Sequence, residues 1–305
     1  MQYQKFRTDN PLPQPTLPPG SWDCQFHVFG DAAHYPPRSG SVYVPFLEAT
    51  IDVALAMHRA VGFAHGVIVQ PTLYGKDHRA LLDALAKAGP AYRGVAIIDD
   101  DIDDRELQRL HDGGVRAARY NFWKKLNLAP TPDSFRRSVR RIRNLGWVAK
   151  IHAAGDEWLE LFPLLREAEI PLVIDHFGHL DINRGLDQPV CKLFLDHLRG
   201  ENWWIMISGG DRVSGMTEGW DDAVRFIAAI ADAAPERTIW GTDWPHVQYV
   251  KPMPTDTQLL ELFYRATPDL EIRRNILCRN PAVLFGINEP SPPTPSTSRE
   301  YSSPA

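Results

Sequence analysis

Short apolar runs alternate along the chain with stretches whose apolar positions recur at helical spacing. The runs Cys24–Phe29, Gly66–Val69, Gly94–Ile98, Ala117–Tyr120, Val148–Ile151, Leu172–Ile174, Trp204–Ile207 and Thr238–Trp240 read as buried strands. Between and after them, Phe46–Ala60, Arg79–Ala88, Asp103–Asp112, Asp133–Asn144, Glu157–Ala168, Val190–Arg199, Trp220–Ala233 and Thr257–Ala266 read as helices. Eight strands, each followed by a helix, predict an α/β fold of the (β/α)8 TIM-barrel type. An open doubly wound sheet is disfavoured, because Phe26-His27-Val28-Phe29-Gly30-Asp31 after the first strand is not a Gly-rich phosphate turn. Short helices within Leu259–Ala266, Ile272–Leu277 and Asn280–Phe285 close the fold.

Two flanking segments lack this pattern. Asn10–Gly20 is Pro-rich and reads as an extended lead-in. Ser291–Ala305 has almost nothing apolar to bury and reads as a disordered tail. The expected organisation is a lead-in over 1–21, one catalytic barrel over 22–290 and a tail over 291–305.

Composition narrows the function classes. With 44% hydrophobic and 23% charged residues in 305, the chain is an ordinary globular protein. No run approaches the roughly 18 apolar residues of a membrane helix, and the polar start Met1–Asn10 carries no secretory h-region, so no membrane partner and a cytoplasmic location are expected. Net charge of −5 speaks against nucleic acid. It also means that an anionic substrate must be met by locally placed Arg and Lys. Cys24, Cys191 and Cys278 form no CxxC pair and read as buried thiols.

In a parallel barrel the chemistry sits at the C-terminal ends of the strands, and these ends are polar. Gln25 and His27 lie two apart on strand one. Gln70 ends strand two; Asp99, Asp100 and Asp101 end strand three; Arg119, Tyr120 and Asn121 end strand four. His152 ends strand five, Asp175 and His176 strand six, Ser208, Asp211 and Arg212 strand seven, and Thr242 and Asp243 strand eight. The Asp99–Asp101 run reads as caps and turns, and the basic run Arg136–Arg143 as a solvated helix face. His27, His152, His176 and Asp243 have the chemistry either to hold a metal or to activate a water. The histidines elsewhere (His34, His58, His65, His78, His111, His179 and His197) fall in loops or helices and read mostly as ordinary packing or surface residues.

The segments Asp23-Cys24-Gln25-Phe26-His27, Val69-Gln70-Pro71, Gly114–Asn121, Ile174–Gly178, Ser208–Arg212, Gly241–His246 and Asn280–Gly286 together resemble the lactonase and isomerase branch of the amidohydrolase superfamily, from about Trp22 to Ile287. The resemblance implies a hydrolase opening a small anionic lactone, of the pyrone-dicarboxylate or sulfo- or carboxymuconolactone kind. An isomerase of an aldaric acid lactone, a metal-dependent decarboxylase and a non-catalytic binding barrel are the alternatives. One departure stands out. The superfamily's first strand usually carries His-x-His, whereas this chain has Gln25-Phe26-His27, and Arg119 stands where a bridging lysine would end strand four. A neutral amide is a poor zinc ligand beside imidazole, and Arg cannot be a ligand. The expectation is therefore a site with no metal and no other cofactor. In it Asp243 is the general base, His27 and His176 polarise the carbonyl, and Arg119 and Arg212 grip substrate anions. Gln70, His152, Tyr43 and Lys124 are expected on the pocket wall, and Arg116 is expected to be structural.

Deleting 291–305 should leave the melting temperature unchanged, as a segment with so little apolar surface gains nothing by docking; a clear drop in a thermal melt of the truncated protein contradicts the assignment of a tail.

Overall fold

The computed structural model describes residues 3–41, 47–200 and 202–286. Tyr43 and the tail over 291–305 lie outside the described residues. Among those described, eight parallel strands follow one another in chain order: β1 Trp22–Phe26, β2 His65–Val69, β3 Tyr92–Ala96, β4 Val115–Asn121, β5 Val148–His152, β6 Leu172–Ile174, β7 Trp203–Ile207 and β8 Thr238–Trp240. The helices between and after them are α1 Ile51–Val61, α2 Arg79–Ala88, α3 Asp104–Asp112, α4 Pro132–Arg143, α5 Glu157–Leu165, α6 Pro189–His197, the single turn α7 Gly210–Val213, α8 Asp221–Ala233, α9 Asp256–Ala266, α10 Leu270–Arg274 and α11 Asn280–Phe285. This is the predicted α/β barrel.

Several predicted boundaries move for identifiable reasons. α1 starts at Ile51 rather than Phe46, after a turn at Leu47–Glu48 and extended backbone at Thr50, a residue type suited to a helix N-cap. α5 stops at Leu165 rather than Ala168, two residues beyond Pro163, whose ring removes a helix N–H. β1 ends at Phe26 rather than Phe29, and its pairing with β2 shifts register between Asp23 and Phe26. Such an irregularity re-aims side chains locally. The Arg136–Arg143 run does lie on α4 as a solvated face, where Arg136, Arg137, Arg141 and Arg143 pair with Glu167, Asp100, Asp104 and Glu169. The three cysteines are free and buried. No helix among the described residues is long and apolar enough to cross a membrane.

Closure between β8 and β1 depends on one buried acid. Asp23 Oδ1 accepts from the Thr242 amide at 2.9 Å, and its Oδ2 accepts from the Thr242 hydroxyl at 2.6 Å. On its other side Asp23 meets His58 Nε2 of α1 at 3.2 Å. The amide of Asp243 then bonds the Gln25 carbonyl at 2.8 Å, and that of His27 the Trp244 carbonyl at 2.7 Å. Two prospective site residues are thus set by the same seam. Inside the barrel, Trp22, Cys24, Val67, Val95, Ala117, Val148, Val173, Trp204 and Ile239 form a dry cluster, with Leu284 and Phe285 of α11 packed against it. In steps of two along the strands, Ala117, Arg119 and Asn121 climb β4, and Val148, Lys150 and His152 climb β5. Each series passes from apolar packing to polar chemistry.

The seam leaves no room for a side chain at Gly241, where a Cβ would lie 2.6 Å from Gln25 Cβ and 2.7 Å from its backbone nitrogen. Gly241→Ala should therefore destabilise the fold by about 1–3 kcal/mol through overpacking. Equilibrium urea unfolding measures it, and an unchanged midpoint contradicts the tight seam.

Candidate active site

The residues predicted to do chemistry do converge. His27, Arg119, His152, His176, Arg212 and Asp243 line one open cavity of about 390 Å³ at the C-terminal ends of the strands. Asp243 holds a left-handed backbone, φ 64°, just beyond β8, a conformation that Asp tolerates better than most residues. Its Oδ2 accepts from Arg212 Nε at 3.1 Å and lies 3.0 Å from a terminal guanidinium nitrogen. Its Oδ1 stands 3.5 Å from His27 Nε2 and 3.9 Å from His176 Nε2. Burial pushes the Asp243 carboxyl up, but His176, Arg212 and His27 outweigh it and hold the group well below its ordinary range. Asp243 is therefore an anion at neutral pH.

The ring protons of the two flanking histidines follow from their partners. Val69 carbonyl, 2.7 Å from His27 Nδ1, can only accept, so that nitrogen carries a proton. His176 Nδ1 meets the Ser208 hydroxyl at 3.1 Å, and its Nε2 faces an Arg119 guanidinium nitrogen at 3.4 Å. Since guanidinium only donates, His176 presents a lone pair at Nε2. Burial, opposed by Asp175 and Asp243, brings the His176 pKa down to about 4. The ring is neutral at pH 7, with its lone pair facing Arg119.

Beneath these groups lies a charged layer that the strand ends only half disclose. Asp175 is wholly buried, 2.8 Å from Arg119 and 3.3 Å from Lys150 Nζ. Burial alone would raise the Asp175 carboxyl, yet Lys150 and Arg119 keep it far below its usual range. Lys150, at 0% exposure, also donates to Gln25 Oε1 at 2.5 Å. An ammonium has only donors, which fixes the Gln25 amide: its oxygen faces Lys150, and its nitrogen faces His27 Nε2 at 3.4 Å. Lys150 was not singled out from sequence. Its signal was its parity with His152 on β5, a lysine two residues below a site histidine inside an apolar strand.

Other expectations need correction. Gln70 is buried but spends its amide on the Gly75 and Asp77 carbonyls and on the Ile97 N–H, so it staples a loop and does not face the cavity. Lys124 points away and pairs with Glu160 on the surface. Its neighbour Lys125 lines the cavity mouth instead, with its ammonium 5.2 Å from the Trp123 ring centre. Both lysines sit on a 3-10 turn over Lys124–Leu126, where neither helix nor strand period assigns a face. His179, read as an ordinary loop residue, lies in the cavity wall: its Nε2 is 3.0 Å from that of His152, and its ring stacks on Trp123 at 4.8 Å. Left-handed backbone at His176, Phe177 and His179 makes this approach possible. Gly178 between them is also left-handed, and a Cβ there would strike Phe194 and Trp158. Arg116 is structural as expected, bonded to the His111 and Val115 carbonyls. Of the Asp99–Asp101 run, Asp99 and Asp101 pair with Lys76.

Arg212 is held from below. Its guanidinium bonds the Val247 carbonyl at 3.2 Å and lies 5.3 Å over the Tyr249 ring. Lys251 Nζ donates to the Asp211 and Ser214 carbonyls at 2.9 and 2.6 Å, which fixes the loop that carries Arg212.

A parallel barrel with histidines, arginines and an aspartate gathered at its C-terminal mouth defines a barrel enzyme whose site is built from strand ends. The chain belongs to the amidohydrolase family, which it matches over residues 22–287. It is 34% identical over 280 residues to the 4-sulfomuconolactone hydrolase of Hydrogenophaga intermedia, covering 91% of this chain and 92% of that one. It is also 34% identical over 286 residues to the 2-pyrone-4,6-dicarboxylate hydrolase of Comamonas testosteroni, covering 91% and 93%. The crystal structure of a probable 2-pyrone-4,6-dicarboxylic acid hydrolase from Acinetobacter baumannii, with citric acid bound, superposes with a TM-score of 0.78 at 29% identity, over 88% of this chain and 99% of that one.

A metal of the kind the superfamily usually holds on its first strand does not fit here. The Gln25 oxygen is already taken by the Lys150 ammonium, a fixed cation at that position.

The low His176 pKa gives the fold a pH signature. The folded ring takes up its proton less readily than the unfolded one, so this group's contribution is complete above about pH 6.5 and is lost as pH falls toward about 4. His179, brought down to about 3 chiefly by burial, acts in the same direction. Unfolding free energy should drop by on the order of 3 kcal/mol across that window, and less in His176→Gln. Denaturant unfolding at several pH values measures the slope; a flat profile in the wild type contradicts a neutral buried His176.

Proposed function

We propose that this protein hydrolyses a small lactone bearing two anionic groups, in the class of pyrone dicarboxylates and sulfo- or carboxymuconolactones, without routing the reaction through a metal. The observation that carries the reading is the Asp243 carboxylate, ionised, braced by Arg212 and facing His27 and His176 across a cavity of lactone size. The hydrolases of 4-sulfomuconolactone and of 2-pyrone-4,6-dicarboxylate, related over nine-tenths of the chain, support it.

Asp243 Oδ1 takes a proton from a water held beside it in the cavity. The water oxygen adds to the lactone carbonyl. The developing oxyanion is met by Arg119, while His27 keeps its Nδ1 proton on the Val69 carbonyl and turns Nε2 toward the Gln25 amide nitrogen and Asp243. This moves His27 and His176 from polarising the carbonyl to flanking Asp243, with His176 also holding Arg119 in place. Collapse of the tetrahedral intermediate breaks the ring C–O bond, and the proton on Asp243 passes to the leaving oxygen. Preorganised donors of this kind typically contribute several kcal/mol.

Charge sets the substrate class. Arg119, Lys125 and Arg212 line the cavity and Lys150 lies beneath, against two carboxylates, Asp243 and Asp175. The arginines foreseen as anion clamps are each already bound to a carboxylate. Lys125 has no carboxylate within ion-pair distance among the described residues, and it stands at the mouth to meet a remote substrate anion. A dianion balances the excess.

Asp243→Asn keeps the volume and removes the base, so turnover should fall by about 10²–10⁴-fold with the fold intact. Steady-state kinetics on 2-pyrone-4,6-dicarboxylate and a sulfomuconolactone test this, and retention of more than about a tenth of wild-type kcat refutes Asp243 as base.

A further inference from the structure

Beyond β8 the segment Asp243–Tyr249 supplies more than the base. Its Val247 carbonyl and Tyr249 ring are the seat of Arg212, the residue that braces Asp243. Asp243, His246 and Gln248 in this segment hold left-handed backbone at φ 64°, 58° and 60°. Such conformations persist where the surroundings over-determine them. His246 stands in the middle, 1% exposed, and the mechanism above gives it no task. Its amide donates to the Asp243 carbonyl at 2.8 Å, and its carbonyl accepts from the Tyr249 amide at 3.2 Å. Its ring Nε2 meets Asp256 Oδ1, in the first turn of α9, at 3.1 Å. Asp256 Oδ2 in turn accepts from Asn10 Nδ2 at 3.1 Å, and the Asp256 amide donates to Asn10 Oδ1 at 2.8 Å. The extended lead-in also reaches the segment directly: the Gln4 amide donates to the Tyr249 carbonyl at 2.7 Å, and Phe6 packs edge-on against Trp244 at 5.0 Å.

We propose that His246 is a positioning residue for the reaction: pinned to Asp256, it holds the segment in the shape that sets both the Asp243 carboxylate and the seat of Arg212, while Asn10 fixes Asp256 from the lead-in. The proposal rests on Asp243 as the base of the hydrolysis. His246 is not among the residues that line the cavity, so it acts through Asp243 and Arg212, which do. The groups facing its ring make the pin firm. Burial disfavours an imidazolium, but Asp256 outweighs it and, aided by Asp211 and opposed by Arg212, holds His246 above its ordinary pKa. Both side chains of the pair are 2% exposed, and removing one leaves the other uncompensated. A displacement of the base by about 1 Å is enough to cost turnover on the order of a hundredfold. Arg119 and Lys125, carried by β4 and the turn after it, do not depend on the segment, so substrate binding should be spared.

Steady-state kinetics of the full chain on 2-pyrone-4,6-dicarboxylate tests the proposal, with folding checked by circular dichroism. His246→Asn tolerates the left-handed backbone but is too short to reach Asp256. It should lower kcat by about tenfold or more and leave KM within about threefold. His246→Gln still presents an N–H to Asp256 and should recover most of the loss. In an Asp243→Asn background, His246→Asn should change the residual turnover by less than about twofold, because the group it positions is gone. An unchanged kcat in folded His246→Asn, a loss that falls on KM alone, no recovery in His246→Gln, or the same factor in both backgrounds overturns the proposal. Where His246→Asn misfolds, Asn10→Ala decides by the same split: a fall in kcat of about threefold is expected, and an unchanged kcat overturns it. Absence of any lactone hydrolysis in the wild type contradicts the proposed function alone. Amide hydrogen exchange, which needs no substrate, then decides the pin: His246→Asn or Asn10→Ala should speed exchange over 243–249 and leave β2–β6 unchanged, and equal protection in variant and wild type overturns it.

Discussion

A single carboxylate inside the barrel, Asp175, organises the site. It has no exposed surface and lies between Lys150 and Arg119 at 3.3 and 2.8 Å. Removing one partner of such a buried group costs about 3–5 kcal/mol, because the other charge is left uncompensated. The arrangement is thus all-or-none. With Asp175 in place, Lys150 stays inside and orients the Gln25 amide, and Arg119 stays beside the His176 lone pair. Without it, two cations would face each other in a dry interior.

Above that layer the cations and Asp243 act together. Arg212 braces Asp243 and Lys251 braces the Arg212 loop, so the Asp243 carboxylate is also held from a neighbouring strand end. The seam between β8 and β1, tied by Asp23, places the Asp243 and His27 amides through the same hydrogen-bonded pairing. Closing the barrel and placing Asp243 beside His27 are one event. The overall charge of −5 is reversed locally, which is what an anionic substrate requires.

Much of this was legible in the sequence because barrels separate their signals. The strand runs and helical periods specify the eightfold repeat. Polar residues at the run ends, above all His27, His176, Arg212 and Asp243, mark the mouth. What escaped the reading lies where periodicity carries no sign. Lys150 sits within a strand, so its apolar neighbours suggested only packing; that its inward partner on β1 is an amide emerges only in three dimensions. Lys125 rather than Lys124 faces the cavity because a short 3-10 turn has no face that a window can detect. His179 enters the wall through consecutive left-handed residues, which local sequence does not announce for His and Phe. Gln70, polar and at a strand end, is claimed by its own loop's backbone.

The central claim is that an ionised aspartate drives water onto an anionic lactone in a cation-lined barrel mouth. Its most direct measurement is turnover of paired dianionic and neutral lactones in 18O-labelled water with excess chelator present, followed by mass spectrometry and NMR of the products. The account predicts an open-chain acid with a single 18O in the new carboxylate, formed from the dianion far faster than from the neutral lactone. A rearranged ring without label, a preference for the neutral lactone, or turnover that vanishes with the chelator would contradict it.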